Sequence, residues 1–437
     1  IHVWASAYYY RPVVQSSRFY PLFYPLTANS FLYKHRIVDA AGARDRIDAS
    51  GGDSHDLCYP VHPLVGDSLK EPYNILFILI DSWNHRTFCP ESTPNIASFA
   101  DSSLVFTNHL SGSNGTRGGV FTLFYSLPAL YWYDVEALQL NPVFIRQLEA
   151  RRYDIKTFAS ASLKNPPFER TVFRSLRSLK LETPGSTAYE RDCRLTSDWI
   201  AYADSVSKQS KREPFFGFLF YDLPHAYELP KNYKKHFTPA WEYADYMSLN
   251  NNTDPTPFYN LYRSCVYYDD SLIGKVIGNL RLNNLLENTV VIITGDHGQE
   301  FNENHKNYWG HNGNFTRAQV GVPMVVYWPG KKHDVYKHMT THYDVIPTLM
   351  QGIFSVSNPV GDYSIGKNLL DTNPRPWHIM GSKENFAIMK GNQLITVDYN
   401  SSFDITDTSL NQVKDAKLDG KLVNDVLGEV NSFYRKK

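Results

Sequence analysis

Three segments of the chain carry polar side chains that suit metal and phosphoryl chemistry. Asp81 closes the apolar run "NILFILID", and Asp296 with His297 closes "VVIITGDH". Between them lies "SGSNGTRGGVF", residues 111–121, a small-residue loop with Thr116 in its middle. Carboxylate, imidazole and hydroxyl donors suit Mn, Mg or Zn. We therefore predict one divalent metal ion (Mn, Mg or Zn) bound where these segments converge.

A bound cation would explain why acids follow buried strands, because it compensates the charge that makes a carboxylate costly to bury. It would also lower the pKa of the Thr116 hydroxyl and so activate it as a nucleophile. The glycines around Thr116 allow a substrate phosphate to approach the backbone closely. Each segment alone has a commoner explanation, a helix cap or an ordinary turn, so only their combination predicts a site.

Further histidines lie where they can assist the reaction. His225 follows the run "PFFGFLFYD", and His311 occurs in "WGHNG", fifteen residues after Asp296. Either can stabilise a developing oxyanion or hold a leaving group, although a histidine in a surface loop would also explain His225. His342 precedes Asp344, which we expect to cap the helix that follows.

Apolar runs of strand length alternate with stretches of helical periodicity. The runs are residues 73–81, 153–160, 214–222, 288–296 and 321–330, and helical spacing appears in "NPVFIRQLEARR" and "YDDSLIGKVIGNLRLNN". This alternation predicts an α/β fold with a mainly parallel central sheet and helices on both faces. Ligands bind at the carboxyl edge of such a sheet, so we expect the chemical residues to meet there.

Composition limits the partners and the cofactors. The 44 basic residues equal the 44 acidic residues in number, so no overall field attracts nucleic acid, and nucleic acid is disfavoured as a partner. The four cysteines lie far apart without C-x-x-C spacing, which argues against a structural zinc site. One or two disulfides and ordinary core thiols both remain open.

The chain of 437 residues divides by composition into three parts. Residues 1–70 are rich in Tyr, Phe, Pro and Arg, which fits either an aromatic belt beside a membrane or an extended arm over the main domain. We predict an α/β domain over 71–370. From about residue 371, shorter strands such as "FAIMK" and a closing helix predict a smaller C-terminal subdomain, 371–437.

Apolar runs of the roughly 20 residues that a membrane-spanning helix needs are absent from the sequence. The chain begins at Ile1 rather than at Met, so we expect it to be part of a longer protein whose remainder can hold a membrane anchor.

These motifs resemble the alkaline phosphatase superfamily, in the branch of sulfatases, lipoteichoic acid synthases and lipid A phosphoethanolamine transferases. The transferase pattern is similar to Asp296, His297, Gly298, Glu303, His311 and Gly313, followed by "VPMVVYW". The resemblance covers about residues 72–370 and implies an alkaline-phosphatase-like fold with Thr116 as nucleophile. The metal ligands that it implies are Asp81, Thr116, Asp296 and His297. We expect catalytic assistance from His225 and His311, and substrate contacts from Asn114, Arg117 and Glu303.

Two departures from that pattern indicate the chemistry. The transferases often have an acid shortly after the nucleophile, where this chain has "TRGG", so Arg117 is expected to meet a phosphate or sulfate instead. The C-x-P-S-R signature from which sulfatases form formylglycine is absent, because "CPESTP" does not fit it. Phosphoryl chemistry is therefore favoured over sulfate-ester cleavage.

A closer resemblance covers nearly the whole chain. "HVWASAYYYRP", "TRGGVFTLFYSLPALYW" and "VPMVVYWPG" look like the periplasmic part of the YejM/PbgA inner-membrane proteins of Gram-negative bacteria. That resemblance implies a location at the periplasmic face of the inner membrane and an N-terminal transmembrane region that this chain lacks. Some members have lost the Asp-His-Gly triplet and act as lipid-binding regulators of lipopolysaccharide assembly. This chain keeps the triplet.

Two functions follow as expectations. The first is a metal-dependent phosphatase or phosphotransferase that acts on a lipid or lipopolysaccharide head group through Thr116. The second is a non-catalytic regulator that binds an anionic lipid or glycolipid near the membrane. Its proposed contacts are Arg11, Arg18, Lys34 and Arg36, for which plain solvation is the alternative. The two functions can coexist.

Overall fold

The computed structural model describes most of the chain outside its N-terminal part. The described residues are 3–4, 28, 32, 37, 57–66, 72–176, 179–209, 213–382, 385–397, 402–414 and 416–434. The four cations proposed to contact lipid, Arg11, Arg18, Lys34 and Arg36, lie outside this set.

Strands and helices alternate along the described chain. The strands are β1 Asn74–Ile80, β2 Leu104–Phe106, β3 His109–Leu110, β4 Asp154–Ala159, β5 Phe215–Tyr221, β6 Thr289–Gly295, β7 Glu300–Phe301, β8 Trp309–Gly310, β9 Met324–Tyr327, β10 Asp334–Tyr336, β11 Thr340–Thr341, β12 His378–Gly381, β13 Phe386–Lys390, β14 Gln393–Val397 and β15 Phe403–Asp407. The α-helices are α1 Pro94–Ala100, α2 Thr116–Tyr125, α3 Trp132–Leu138, α4 Val143–Ala150, α5 Ala188–Ser207, α6 Leu223–Ala226, α7 Thr256–Leu282, α8 Arg317–Val320, α9 Val345–Gly352 and α10 Gly420–Val430.

The central sheet has seven strands in the order β10-β2-β9-β6-β1-β5-β4. Strands β4, β5, β1 and β6 pair in parallel, and β9 pairs antiparallel with both β6 and β2. Every residue of β1, β5 and β6 is buried, as expected for strands covered on both faces. The predicted α/β fold with a mainly parallel central sheet is confirmed.

Alternation along β1 divides the interior into two cores. Ile75, Phe77 and Leu79 pack on one face with α2, α4 and α9, whereas the residues between them pack on the other face with α5 and α7. The longest helix, α7, begins at Thr256, about three turns before its predicted start. The helices thus cover both faces and leave the carboxyl edge of the sheet to the loops.

A smaller antiparallel sheet, β12-β13-β14-β15, forms the C-terminal part, and α10 packs against it through Leu422, Val426 and Val430. Residues 57–66 lie beside this end of the chain, because the Cys58 amide donates to the carbonyl of Phe433. The predicted domain limits at residues 70 and 370 stay a prediction. Among the described residues, no helix has both the length and the apolar character needed to cross a bilayer.

Helix α2 approaches the end of β6 unusually closely. A Cβ atom added to Gly119 would lie 2.1 Å from the carbonyl oxygen of Asp296. The Ser111 hydroxyl donates to that same carbonyl at 2.5 Å. Because the atom in the way is backbone, no side-chain rotation would relieve the clash, so glycine fixes the distance between α2 and the sheet edge.

We predict that Gly119→Ala pushes α2 away from β6 and lowers the free energy of unfolding by about 1–3 kcal/mol, the usual cost of overpacking. Urea unfolding measures this. The control is Gly278→Ala in α7, where an added Cβ meets nothing within 4 Å and alanine favours the helix. Equal effects of the two substitutions would contradict the proposed contact.

Candidate active site

Three neighbouring strands end in register with an aspartate. Tyr221 of β5 pairs with Ile80 of β1, which pairs in turn with Gly295 of β6. The residue after each is an acid, namely Asp222, Asp81 and Asp296. Asp81 and Asp296 are at most 2% exposed. The parallel register therefore places three carboxylates side by side at the carboxyl edge of the sheet.

Thr116 reaches this edge from the first position of α2. Its Oγ1 lies 3.2 Å from His297 Nε2 and 3.5 Å from Asp81 Oδ2. The N-cap of α2 is Gly115, which offers no side chain to the first amides of the helix. The hydroxyl therefore stands beside the acids at a helix N-terminus whose N–H groups favour an anion.

Asp296 is held through only one of its carboxylate oxygens. Oδ1 accepts hydrogen bonds from the amides of Ser82 at 3.0 Å and His297 at 2.9 Å. Ser82 lies in the left-handed region, with φ of 62°, and this conformation aims its amide at Asp296. Oδ2 is buried, and the structure gives it no hydrogen-bond partner. An orphaned buried carboxylate oxygen is what a cation ligand looks like without its cation.

His297 presents a lone pair to the acids. Its Nδ1 lies 2.9 Å from the carbonyl oxygen of Gly298 and therefore carries the proton. Its Nε2 lies 3.5 Å from a carboxylate oxygen of Asp81 and 3.5 Å from Asp296 Oδ2. Burial lowers the pKa of His297, which favours the neutral ring. A lone pair facing two carboxylates is repulsive unless a cation lies between them.

The four predicted ligands fit a divalent ion. Ligand atoms about 2.0–2.2 Å from a metal lie about 3–3.5 Å from one another, and His297 Nε2 lies 3.2 Å from Thr116 Oγ1 and 3.5 Å from an oxygen of each acid. Burial, followed by the charge of Asp296, raises the pKa of Asp81 to about 7. Burial also raises the pKa of Asp296 to about 7. A positive charge would lower both values.

Among the described residues, two groups have metal-binding geometry: Asp81 with Asp296 and His297, and Asp81 with Asp222 and His225. In the second group Asp222 already has partners, because Arg191 donates to Oδ2 at 2.9 Å and His225 Nδ1 lies 3.3 Å from Oδ1. An arginine beside the carboxylate repels a further cation. The first group is therefore the better metal site.

His225 lies on the more open side of the cluster, with its side chain 42% exposed. The charge of Asp81, followed by the hydrogen bond to Asp222, raises the pKa of His225 to about 10. The ring is thus a cation in the protein without bound metal. Its Nδ1 is engaged by Asp222, which leaves Nε2 free to donate.

His311 has the opposite character. Burial lowers its pKa to about 2, so the ring is neutral. Its Nδ1 lies 2.9 Å from Gln299 Oε1, and Gln299 Nε2 donates to the Tyr227 hydroxyl at 2.6 Å. The amide orientation places the His311 proton on Nδ1 and a lone pair on Nε2. The rings of His297 and His311 lie 4.4 Å apart, between centroids.

The residues predicted to contact substrate have partners of their own. Asn114 donates to the carbonyl of Asn314, while its buried Oδ1 has no partner in the structure. The Arg117 guanidinium lies over the Trp132 ring, 5.3 Å from its centroid. Glu303 pairs with Arg86 at 2.7 Å and accepts from the amide of Phe301. Their roles toward a substrate stay predictions.

Sequence reasoning missed four residues that shape this site, namely Arg191, Asp222, Tyr227 and Gln299. Asp222 follows a buried strand directly, as Asp81 does, so the same pattern could have predicted it. Only His225 was predicted from that segment. The other three have no local pattern. Asp344 accepts from the Thr341 amide at 2.7 Å within a capping box, in which Thr341 is the N-cap and Asp344 is the third residue after it.

All four cysteines lie in the described part of the chain, and no disulfide joins them.

Comparison with known proteins identifies the class. The chain belongs to the sulfatase family, which it matches over residues 73–353. Residues 1–65 match a domain of unknown function, DUF3413.

Two relatives cover most of the chain. An uncharacterized protein of Haemophilus influenzae is 30% identical over 384 residues, which are 86% of this chain and 57% of that protein. The inner membrane protein YejM of Salmonella typhimurium is 26% identical over 436 residues, 99% of this chain and 68% of that protein. The chain thus spans between about half and two thirds of the length of these relatives.

Solved structures agree on the fold. An alkaline phosphatase superfamily protein from Vibrio parahaemolyticus superposes with a TM-score of 0.63 at 14% identity, over 92% of this chain and 98% of that one. The phosphonate monoester hydrolase of Agrobacterium radiobacter gives a TM-score of 0.59 at 15% identity, over 82% and 94%.

We predict that the protein binds one Mn²⁺ per chain in calorimetric titration and that Asp296→Asn weakens binding by more than about 100-fold, because loss of a ligand exceeds the usual effect of an outer-shell change. Asp198→Asn is the control, since Asp198 pairs with Arg194 on α5. Unchanged affinity in Asp296→Asn would exclude this carboxylate as a ligand.

We predict that the protein, once a chelator has removed any metal, becomes less stable between pH 5.5 and pH 8. The unfolded acids lose their protons near pH 4, whereas Asp81 and Asp296 keep theirs up to about pH 7. The unfolded state therefore binds fewer protons in this window, and stability falls as the pH rises. Calorimetric melting at pH 5.5 and pH 8 measures the fall.

The double variant Asp81→Asn with Asp296→Asn is expected to show a smaller fall over the same range. Added Mn²⁺ is expected to stabilise the unsubstituted protein at pH 8, because a ligand that binds only the folded state raises its stability. The same pH dependence in both proteins would show that these acids do not carry the effect.

Proposed function

We propose that the protein is a metal-dependent hydrolase or transferase of phosphate esters with Thr116 as the nucleophile. The observation that carries this proposal is the position of Thr116 Oγ1, 3.2 Å from His297 Nε2 and 3.5 Å from Asp81 Oδ2. This position places the hydroxyl among two buried acids and an imidazole lone pair, which is the environment expected of a metal-activated nucleophile. Enzymes of this superfamily commonly use a divalent metal.

Asp81, Asp296 and His297 would hold the ion together with Thr116. The ion, when bound, supplies Lewis acidity that lowers the pKa of the hydroxyl and neutralises charge on the phosphoryl group. Thr116 gives its hydroxyl proton to solvent, and its Oγ forms a bond to phosphorus while the bond to the leaving oxygen breaks and that oxygen takes a proton from His225. Water or a second alcohol displaces the threonine oxygen in the next step, which gives hydrolysis or transfer.

The N-terminus of α2 favours an anionic substrate at this place. The first amides of a helix lack partners within the helix, and its dipole stabilises negative charge there. Gly118 and Gly119 follow Thr116 and are both buried in close packing. The helix thus brings the nucleophile and an anion-binding end to the same point.

The two histidines divide the proton chemistry. Asp222 at Nδ1 favours the protonated ring of His225, so Nε2 donates a proton to the leaving oxygen and recovers it from the water or alcohol that enters later at the same in-line position. His311 is neutral with its lone pair on Nε2, so it accepts a hydrogen bond from a hydroxyl of the substrate.

Phosphate is favoured over sulfate because the nucleophile is a threonine. The signature that yields formylglycine is absent from the sequence. A transferring phosphoryl group also carries more negative charge than a sulfuryl group, which suits the cation and the helix N-terminus.

For the natural substrate we propose the phosphate of a lipid or lipopolysaccharide head group at the periplasmic face of the inner membrane. The support is the alignment with the inner membrane protein YejM, which is 26% identical over 99% of this chain. Anionic lipid is the proposed partner.

We predict that Mn²⁺ supports turnover of 4-nitrophenyl phosphate and that Thr116→Ala lowers kcat by at least about 1,000-fold, because the attacking atom is lost. Thr116→Ser keeps the hydroxyl and is expected to retain activity within about tenfold. Thr107→Ala is the control, since Thr107 is exposed and its hydroxyl donates to the carbonyl of Tyr336 rather than to an acid of the site. Undiminished turnover by Thr116→Ala would exclude the nucleophile.

The lipid substrate has its own test. Mass spectrometry of the peptide that contains Thr116, after incubation with phosphatidylglycerol vesicles, is expected to show a glycerophosphoryl adduct on Thr116, formed as diacylglycerol leaves. If the aryl phosphate reacts and no lipid adduct forms, this lipid is not the donor.

A further inference from the structure

Helix α5 holds the turn after β5 through two consecutive residues. Arg191 Nη2 donates to Asp222 Oδ2 at 2.9 Å. The next residue, Asp192, accepts hydrogen bonds from the amides of Asp222 at 3.1 Å and Leu223 at 2.9 Å. One helix thus fixes both the side chain and the backbone of Asp222.

Asp192 lies beside a second buried acid. It is fully buried, and Asp269 of α7 packs against it, also fully buried. Burial, followed by the charge of Asp192, raises the pKa of Asp269 well above its ordinary value. Two buried acids are costly, which indicates that their position matters more than their contribution to stability.

The held Asp222 in turn fixes His225. Its Oδ1 lies 3.3 Å from His225 Nδ1, and its other oxygen is occupied by Arg191. A carboxylate on Nδ1 sets the orientation of an imidazole and the nitrogen that faces the reaction. Without Arg191, Asp222 would be free to turn toward the neighbouring cation site.

We propose that Arg191 and Asp222 are positioning residues that hold His225 by Nδ1 so that its Nε2 meets the leaving oxygen of the substrate. This inference rests on the proposed function, in which His225 protonates that oxygen. It also assigns a fixed positive charge, Arg191, to the third acid of the sheet edge, so that this acid is not a ligand of a second metal ion.

Leaving-group dependence tests the inference with Mn²⁺-loaded protein. Phenyl phosphate has a poor leaving group that needs a proton, whereas 4-nitrophenolate leaves without one. Arg191→Gln and Asp222→Asn are expected to lower kcat on phenyl phosphate by about 10- to 100-fold, with KM nearly unchanged, and on 4-nitrophenyl phosphate by only a few-fold. Arg191→Lys, which keeps the charge, is expected to restore part of the loss.

Two controls separate positioning from a general structural effect. Arg194→Gln removes the next arginine of α5, which pairs with Asp198 at 3.0 Å, and is expected to change neither rate. In a His225→Ala background, Arg191→Gln is expected to cause no further loss, because the two residues act as one unit. Equal losses on both esters, or additive losses with His225→Ala, would overturn the inference.

Crystal structures of the unsubstituted protein and of Arg191→Gln test the positioning role independently of turnover. If the unsubstituted protein hydrolyses neither ester, the proposed function fails, but the positioning role still predicts a displaced His225 ring in Arg191→Gln. A ring that keeps its place in that variant overturns the positioning role. So does a stoichiometry of two Mn²⁺ per chain that falls to one in Asp222→Asn.

Discussion

The structure depends on the burial of carboxylates at the carboxyl edge of one parallel sheet. The register of β5, β1 and β6 makes Asp222, Asp81 and Asp296 neighbours, and a buried charge without compensation is among the most costly features that a fold can contain. Local hydrogen bonds satisfy Asp296 through one oxygen only. The remaining cost is removed by a proton or by a metal ion, so the fold itself makes the edge a site for cations.

The same constraint explains the packing around the site. Helix α2 must approach the end of β6 closely enough for Thr116 to share the space of the acids, and Gly119 permits that approach. The left-handed backbone at Ser82 turns an amide toward Asp296. The strained backbone at Ser82 thus orients the carboxylate of Asp296, and the absence of a side chain at Gly119 lets α2 bring Thr116 to the acids.

The sequence was sufficient for the residues that end buried strands. A continuous apolar run followed by an acid predicts both a central parallel strand and a polar group at its carboxyl end, which located Asp81 and Asp296 and would have located Asp222. It was insufficient for Arg191, Gln299 and Tyr227, which reach the site from other elements through side-chain contacts over long sequence distances. The antiparallel β9 was missed as such, because an apolar run carries no strand direction.

The three acids are compensated in two different ways, and the difference bears on mechanism. Arg191 gives Asp222 a permanent partner, so its charge is available only to orient His225. Among the described residues the structure shows no arginine or lysine paired with Asp81 or Asp296, and both acids face the lone pair of His297. In the proposed mechanism the exchangeable ion therefore binds next to Thr116, and His225 lies on the side where Arg191 pairs with Asp222. A second ion would have to displace that arginine before it could bind.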